Sequence, residues 1–184
     1  TKEIQNKETI NRKALKFKEE DIVIVFSGGN GLWQSYDAMI AVLEKYLMNF
    51  SNIKILLLCE NSSLINLFKE KHPGRVVVKW VNFFNVQNYL ELADFGIIFR
   101  EQSVTNYVSS PVKIPEYLSC GLKILISPNI GDFSGFINEH SLGYLIDDKS
   151  LKQLYSVSQT DKKRIKTISF EFFNKESRFI LEKF

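Results

Sequence analysis

A run of apolar residues, Ile22-Val23-Ile24-Val25-Phe26, passes straight into Ser27-Gly28-Gly29-Asn30-Gly31-Leu32-Trp33-Gln34. A parallel strand that ends in glycines and continues into a helix lets backbone N–H groups approach phosphate oxygens, so Gly28, Gly29 and Asn30 are candidates for an anion site. Glycines also make tight turns with no ligand, and this loop alone leaves both readings open. It is not a dinucleotide fingerprint: counted from Gly29 the third glycine position holds Gln34, and counted from Gly28 the pattern meets Asn30 and Trp33. No Gly-Lys-Ser/Thr follows at the spacing of a triphosphate loop either.

A second segment carries more chemistry. Phe95-Gly96-Ile97-Ile98-Phe99-Arg100 reads as another strand with a cation at its carboxyl end, and Val108-Ser109-Ser110-Pro111-Val112-Lys113-Ile114-Pro115-Glu116 reads as a helix entry. Ser109 or Ser110 is expected to cap that helix, with Pro111 in its first turn and the helix dipole facing the same sheet edge as the glycine loop. Lys113 falls in the first turn, where a cation opposes the dipole by about 0.3–1 kcal/mol unless an anion sits nearby. Glu116 lies on the neighbouring face of that turn and suits the two vicinal hydroxyls of a ribose. From spacing alone the commoner reading is a solvated helix glutamate paired with Lys113. Arg100 has the same two readings, crevice cation or partner of a surface acid.

The elements that must position these residues follow from the apolar pattern. Strands are expected at residues 22–26, 53–59, 75–78, 95–99, 123–126 and near Tyr144, each short and nearly continuous in hydrophobicity. Between the first two, Tyr36, Met39, Ile40, Leu43 and Leu47 recur at helical spacing. Further helices are expected at 62–71, stopped by Pro73-Gly74, at 86–93, at 112–119 before Gly121, and from 161 to 184. On the last, Ile165, Ile168, Phe172, Phe179 and Ile180 form the apolar side, with some of Phe170, Phe173 and Phe179 candidates for exposure where a partner domain is absent. The alternation predicts an α/β Rossmann-like three-layer domain, a parallel sheet flanked by helices, over residues 21–160. Residues 1–20 are expected to be a linker or connecting segment and 161–184 a C-terminal helix.

Whole-chain properties narrow the function classes. The 184 residues suit one domain, and 24 basic against 21 acidic residues, interspersed, do not make the basic face of a nucleic-acid binder. Cys59 and Cys120 stand far apart without histidines at ligand spacing, so neither a disulfide framework nor a metal site is expected. No apolar run approaches the roughly 18 residues of a spanning helix, and the polar start is unlike a signal peptide, so a cytoplasmic domain is expected. The chain does not open with Met and is expected to be a piece of a longer protein.

Taken in order, four pieces resemble the C-terminal, donor-nucleotide-binding domain of a GT-B fold glycosyltransferase, nearest the family 4 (group 1) retaining enzymes. They are residues 27–34, the Tyr89-Leu90-Glu91-Leu92-Ala93-Asp94-Phe95-Gly96-Ile97 segment, residues 110–121, and Asn129-Ile130-Gly131-Asp132. The resemblance implies that Glu116 binds ribose, that Ser109, Ser110, Pro111, Val112 and Lys113 cradle a diphosphate, and that Gly28 and Gly29 face its phosphates. It also implies that residues 81–85 contact the base, with Phe83 or Phe84 stacking on it; as aromatics they read equally as core residues. Two positions depart from the family pattern: Val108 stands where a sugar-contacting glutamate is usual, and the basic pair after the glycine loop is absent. Arg100 and Lys113 then become the candidates for neutralising the diphosphate.

The activity so implied is transfer of a sugar from a nucleoside diphosphate sugar, UDP-sugar foremost, to a glycan or lipid-linked acceptor, in surface-polysaccharide assembly. No metal or other cofactor is required by that reading, and the chain alone is expected to bind without turnover, since a separate N-terminal domain holds the acceptor. Peripheral contact with the inner face of the cell membrane is a further implication. A nucleotide-sugar 2-epimerase half and a non-catalytic interaction module are the alternatives.

Overall fold

The computed structural model describes residues 10–28, 36–100, 112–128, 130–147 and 151–173. The six expected apolar runs form strands β1 (Ile22–Ser27), β2 (Ile53–Leu58), β3 (Val76–Lys79), β4 (Phe95–Ile98), β5 (Lys123–Ile126) and β6 (Gly143–Leu145). All pair in parallel, in the order β3-β2-β1-β4-β5-β6. Every residue of β1 and β4 is buried. That is why their sequences run apolar without alternation, since helices cover both faces.

Six α-helices lie among the described residues: α1 (Tyr36–Asn49), α2 (Ser63–Lys71), α3 (Phe83–Leu90), α4 (Lys113–Ser119), α5 (Phe133–Glu139) and α6 (Gln159–Phe173). Strand order advances one way from β1 to β3 and the other way from β4 to β6. Right-handed crossovers therefore put α1 and α2 on one face of the sheet and α4 and α5 on the other. The reversal falls between β1 and β4, where a crevice opens at the carboxyl ends of the strands.

Several boundaries differ from expectation for local reasons. The helix expected at 86–93 starts at Phe83, because the Asn82 side chain accepts the Phe84 N–H at 3.1 Å. Phe83 and Phe84 thus sit in a first helical turn. The entry to α4 is corrected too: Val112 occupies the cap position, with no side-chain cap bond, in place of Ser109 or Ser110. Pro115 explains the shift, because its missing N–H is harmless in the first turn but breaks a bond deeper in a helix. Ser109, Ser110 and Pro111 themselves lie outside the described residues.

The sequence pattern missed α5 entirely. It is seven residues long, contains Gly135, and buries only Ser134 and Ile137, too little periodicity to register. On α6, Ile165 is buried as expected, whereas Phe172 is partly exposed and packs edge-on against Phe136 and His140. Phe170 is exposed, as anticipated. Phe179 and Ile180 lie outside the described residues.

The stretch read as connecting contributes packing: Leu15 and Phe17 are buried. Arg12 donates to the buried Asp94 carboxylate at 2.8 Å and to the carbonyls of Leu92 and Asp21. Asp94 also accepts the Val23 N–H at 2.9 Å and the Val157 N–H at 3.1 Å. One carboxylate thereby ties three segments together at the amino end of the sheet, opposite the crevice.

Candidate functional site

The crevice is built by the ends of β1 and β4 and by α4. Ladder pairing between the two strands runs only from Ile24 and Phe95 to Val25 and Gly96. Beyond it the Ser27 N–H donates instead to the Tyr117 hydroxyl at 2.9 Å. Gly96 makes this possible. A Cβ there would stand 2.2 Å from Cδ2 of the Tyr117 ring, so only glycine lets that ring lie across the strand. Burial pushes the Tyr117 phenol far above its usual range, keeping it a neutral hydroxyl.

Lys113, the first residue of α4, reaches over this corner. Its ammonium donates to Glu116 Oε2 at 2.9 Å and makes a long contact of 3.5 Å with Ser27 Oγ. The two charged side chains remain 32% and 28% exposed, so the pair is open to a ligand. Phe26, Ser27, Ile97, Ile98, Phe99, Arg100, Lys113 and Tyr117 enclose a hollow of about 30 Å³ at the switch point. Arg100 and Lys113, selected separately from the sequence, meet here. Burial lowers the Arg100 pKa from its usual value, though the guanidinium remains a cation near neutral pH.

Glu116 opens elsewhere, into a groove of about 550 Å³ between α4 and α6 whose wall includes Lys166, Ser169 and Phe170. The Lys113–Glu116 pair bridges the crevice and this groove. Arg100 likewise lines a second groove of about 540 Å³, floored by Ala38, Ala41, Val42 and Ile146 of α1 and the β6 end.

Of the glycine loop, Gly28 extends the β1–β2 ladder by donating to the Leu58 carbonyl at 3.2 Å; Gly29 and Asn30 lie outside the described residues. Val112 is exposed at the α4 entry. Phe83 and Phe84 are 80% and 65% exposed, in edge-to-face contact with each other, and Trp80 beside them is 69% exposed. Their reading as core aromatics is thereby corrected. They crown the carboxyl end of β3, on the same sheet edge as the crevice, roughly 10 Å from β1 by strand spacing.

Tyr117 and Ser127 were not singled out from the sequence. Gly96 inside a buried strand signals a close approach without naming its partner, and an isolated serine at a strand end gives no pattern at all. Among the described residues no group of three or more His, Cys, Asp or Glu is arranged to hold a metal, and no helix is long and apolar enough to cross a membrane.

No protein-family model and no curated protein sequence matches the chain. Solved structures do. TarM superposes with a TM-score of 0.64 at 15% identity, covering 96% of this chain and 36% of its own. WaaG, a glycosyltransferase involved in lipopolysaccharide biosynthesis, gives 0.57 at 15%, covering 90% of this chain and 41% of its own. The C-terminal domain of the glycosyl transferase group 1 family protein LpcC from Francisella tularensis gives 0.56 at 10%, covering 91% of this chain and 83% of its own. The chain therefore spans about two fifths of the WaaG chain and most of an isolated C-terminal domain, and it has the Rossmann-like fold found in GT-B glycosyltransferases.

Proposed function

We propose that this chain is the donor-binding half of a glycosyltransferase that takes its sugar from a nucleoside diphosphate, with UDP-sugar the favoured donor. The observation that carries the reading is the meeting of Arg100, Lys113 and Ser27 in one crevice at the switch point of a β3-β2-β1-β4-β5-β6 sheet. An α/β sheet binds its ligand at that place, and two cations there suit a diphosphate.

In this reading the bond from the anomeric carbon to the phosphate oxygen breaks, the diphosphate departs with the electron pair, and the sugar passes through an oxocarbenium-like state. Fixed positive charge stabilises the departing group only if it is already in place. Lys113 and Arg100 fill that role. Glu116, whose Oε2 holds Lys113, offers Oε1 to the ribose hydroxyls. Exposed Phe83 and Phe84 offer faces for the base. The acceptor, a glycan or a lipid-linked sugar, is bound by an N-terminal domain that closes over the crevice. The transfer is retaining, as in the family the sequence resembles, and the chain by itself binds without turnover.

Calorimetric titration with UDP, GDP and ADP, with NAD as control, tests the reading. Saturable binding of one diphosphate and none of NAD supports it; absence of binding to all three diphosphates overturns it.

A further inference from the structure

The backbone of Arg100 lies two residues past the end of β4 and gets its hydrogen bonds from a side chain. Its N–H donates to Ser127 Oγ at 3.0 Å, and the same hydroxyl donates to the Arg100 carbonyl at 3.0 Å. The Ser127 N–H meanwhile donates to Ile98 O at 3.1 Å, the last rung of the β4–β5 ladder. Its carbonyl accepts from Ser134 Oγ at 3.2 Å, and Ser134 Oγ accepts the Ile130 N–H at 3.0 Å. Ser127 therefore has its amide, carbonyl and hydroxyl all engaged, and both serines are buried.

The β4–β5 pairing closes at Ile98 and Ile126. Beyond it Ser127 Oγ bonds both the N–H and the carbonyl of Arg100. The hydroxyl is a donor and an acceptor at once, so one atom satisfies both halves of the Arg100 peptide, which alanine or valine cannot do. Through Ser134 the relay reaches Ile130, so the loop entering α5 and the loop leaving β4 share one anchor.

We propose that Ser127, supported by Ser134, is a positioning residue that fixes the Arg100 backbone so that its guanidinium is already in place when a diphosphate arrives at the switch-point crevice. This rests on the donor-binding reading above. Positioning matters because a preorganised cation stabilises a bound anion without reorganisation, whereas an arginine on a loose loop spends part of that stabilisation on ordering itself.

The test is a double-variant cycle on the 184-residue chain, with UDP as probe and folding checked by circular dichroism. Arg100→Gln and Ser127→Ala are each expected to weaken UDP binding about tenfold, the size of one charge-assisted contact. Ser127→Ala in the Arg100→Gln background is expected to weaken it no further. Ser127→Ala should also flatten the dependence of log Kd on log salt to that of Arg100→Gln, which a merely structural serine would not do. Independent losses that multiply to about a hundredfold overturn the inference while leaving the donor reading intact. If the unmodified chain binds no UDP, GDP or ADP, the donor reading fails and this inference fails with it. Should Ser127→Ala not fold, Ser134→Ala takes its place: a loss of threefold or more that vanishes in the Arg100→Gln background supports the relay, and one that persists there refutes it.

Discussion

Gly96→Ala converts the crevice geometry into a measurable stability change. The new Cβ would stand 2.2, 2.5 and 2.7 Å from Cδ2, Cγ and Cε2 of Tyr117, where ordinary carbon contacts lie at about 3.5–4.0 Å. The ring has nowhere to go: Tyr117 is fully buried, and its hydroxyl is held by the Ser27 N–H at 2.9 Å. Relief requires the ring to move by more than 1 Å, roughly, or the strands to part, and overpacking of this kind costs about 1–3 kcal/mol. A ring displaced that far also loses the Ser27 bond and leaves a buried N–H unpaired, adding about 1 kcal/mol or more. The expected loss is about 2–4 kcal/mol, read from urea unfolding as a lower midpoint at unchanged slope. Tyr117→Phe isolates the hydroxyl and is expected to cost about 1–2 kcal/mol. Combining Gly96→Ala with Tyr117→Leu, which removes the clashing ring atoms, should lose less than the sum of the two single changes. A Gly96→Ala chain within 0.5 kcal/mol, roughly, of the parent would refute the placement of Tyr117 across β4.

Other expectations follow from the same geometry. Asp94→Asn, which breaks the buried pair with Arg12 while leaving an acceptor for Val23, should destabilise the fold by about 3 kcal/mol in urea titration and leave nucleotide binding unchanged. Burial raises the pKa of Cys59 and of Cys120 to about 11 and that of Tyr36 to about 12. Folded values above the unfolded ones mean a contribution fully present below about pH 9 and lost as pH climbs through 11. The urea midpoint should therefore fall between pH 8 and 10.5, and a flat profile would contradict the burial of these groups. Phe83→Ala and Phe84→Ala should each change stability by less than about 0.5 kcal/mol, because the rings are exposed. If they stack on a base, each should cost about 0.5–1.5 kcal/mol of UDP affinity in calorimetry. Glu116→Gln should weaken UDP by about 1.5–3 kcal/mol without lowering the melting temperature by more than a few degrees, and an unchanged affinity removes Glu116 from the site.

How much was legible in the sequence depended on how far each residue's partners lay along the chain. The inner strands β1, β2, β4 and β5 came through because burial on both faces forces continuous Val, Ile and Leu runs, and β5 matched residue for residue. The expected end of the fourth helix was also met, with Gly121 at a φ of +79°. Its start, expected at 112, falls at Lys113, but its cap was misassigned because two serines and a proline gave a stronger local signal than Pro115, whose missing N–H suits the first turn. Arg100 and Lys113 were singled out by their placement at strand and helix ends. Tyr117 and Ser127 were not, since their significance lies in contacts with Ser27, 90 residues away, and Arg100, 27 residues away. Composition could not reveal that Phe83 and Phe84 face solvent, because an aromatic in a loop and one in a core are the same letter.

The central claim, that the switch-point cations hold a diphosphate, is tested most directly by comparing UDP with uridine on the parent chain and on the Lys113→Gln, Arg100→Gln double variant. The parent is expected to prefer UDP by about a hundredfold, about 2.7 kcal/mol, and the double variant to bind the two within a few fold of each other. An equal preference for UDP in both chains, or no preference in the parent, would contradict it.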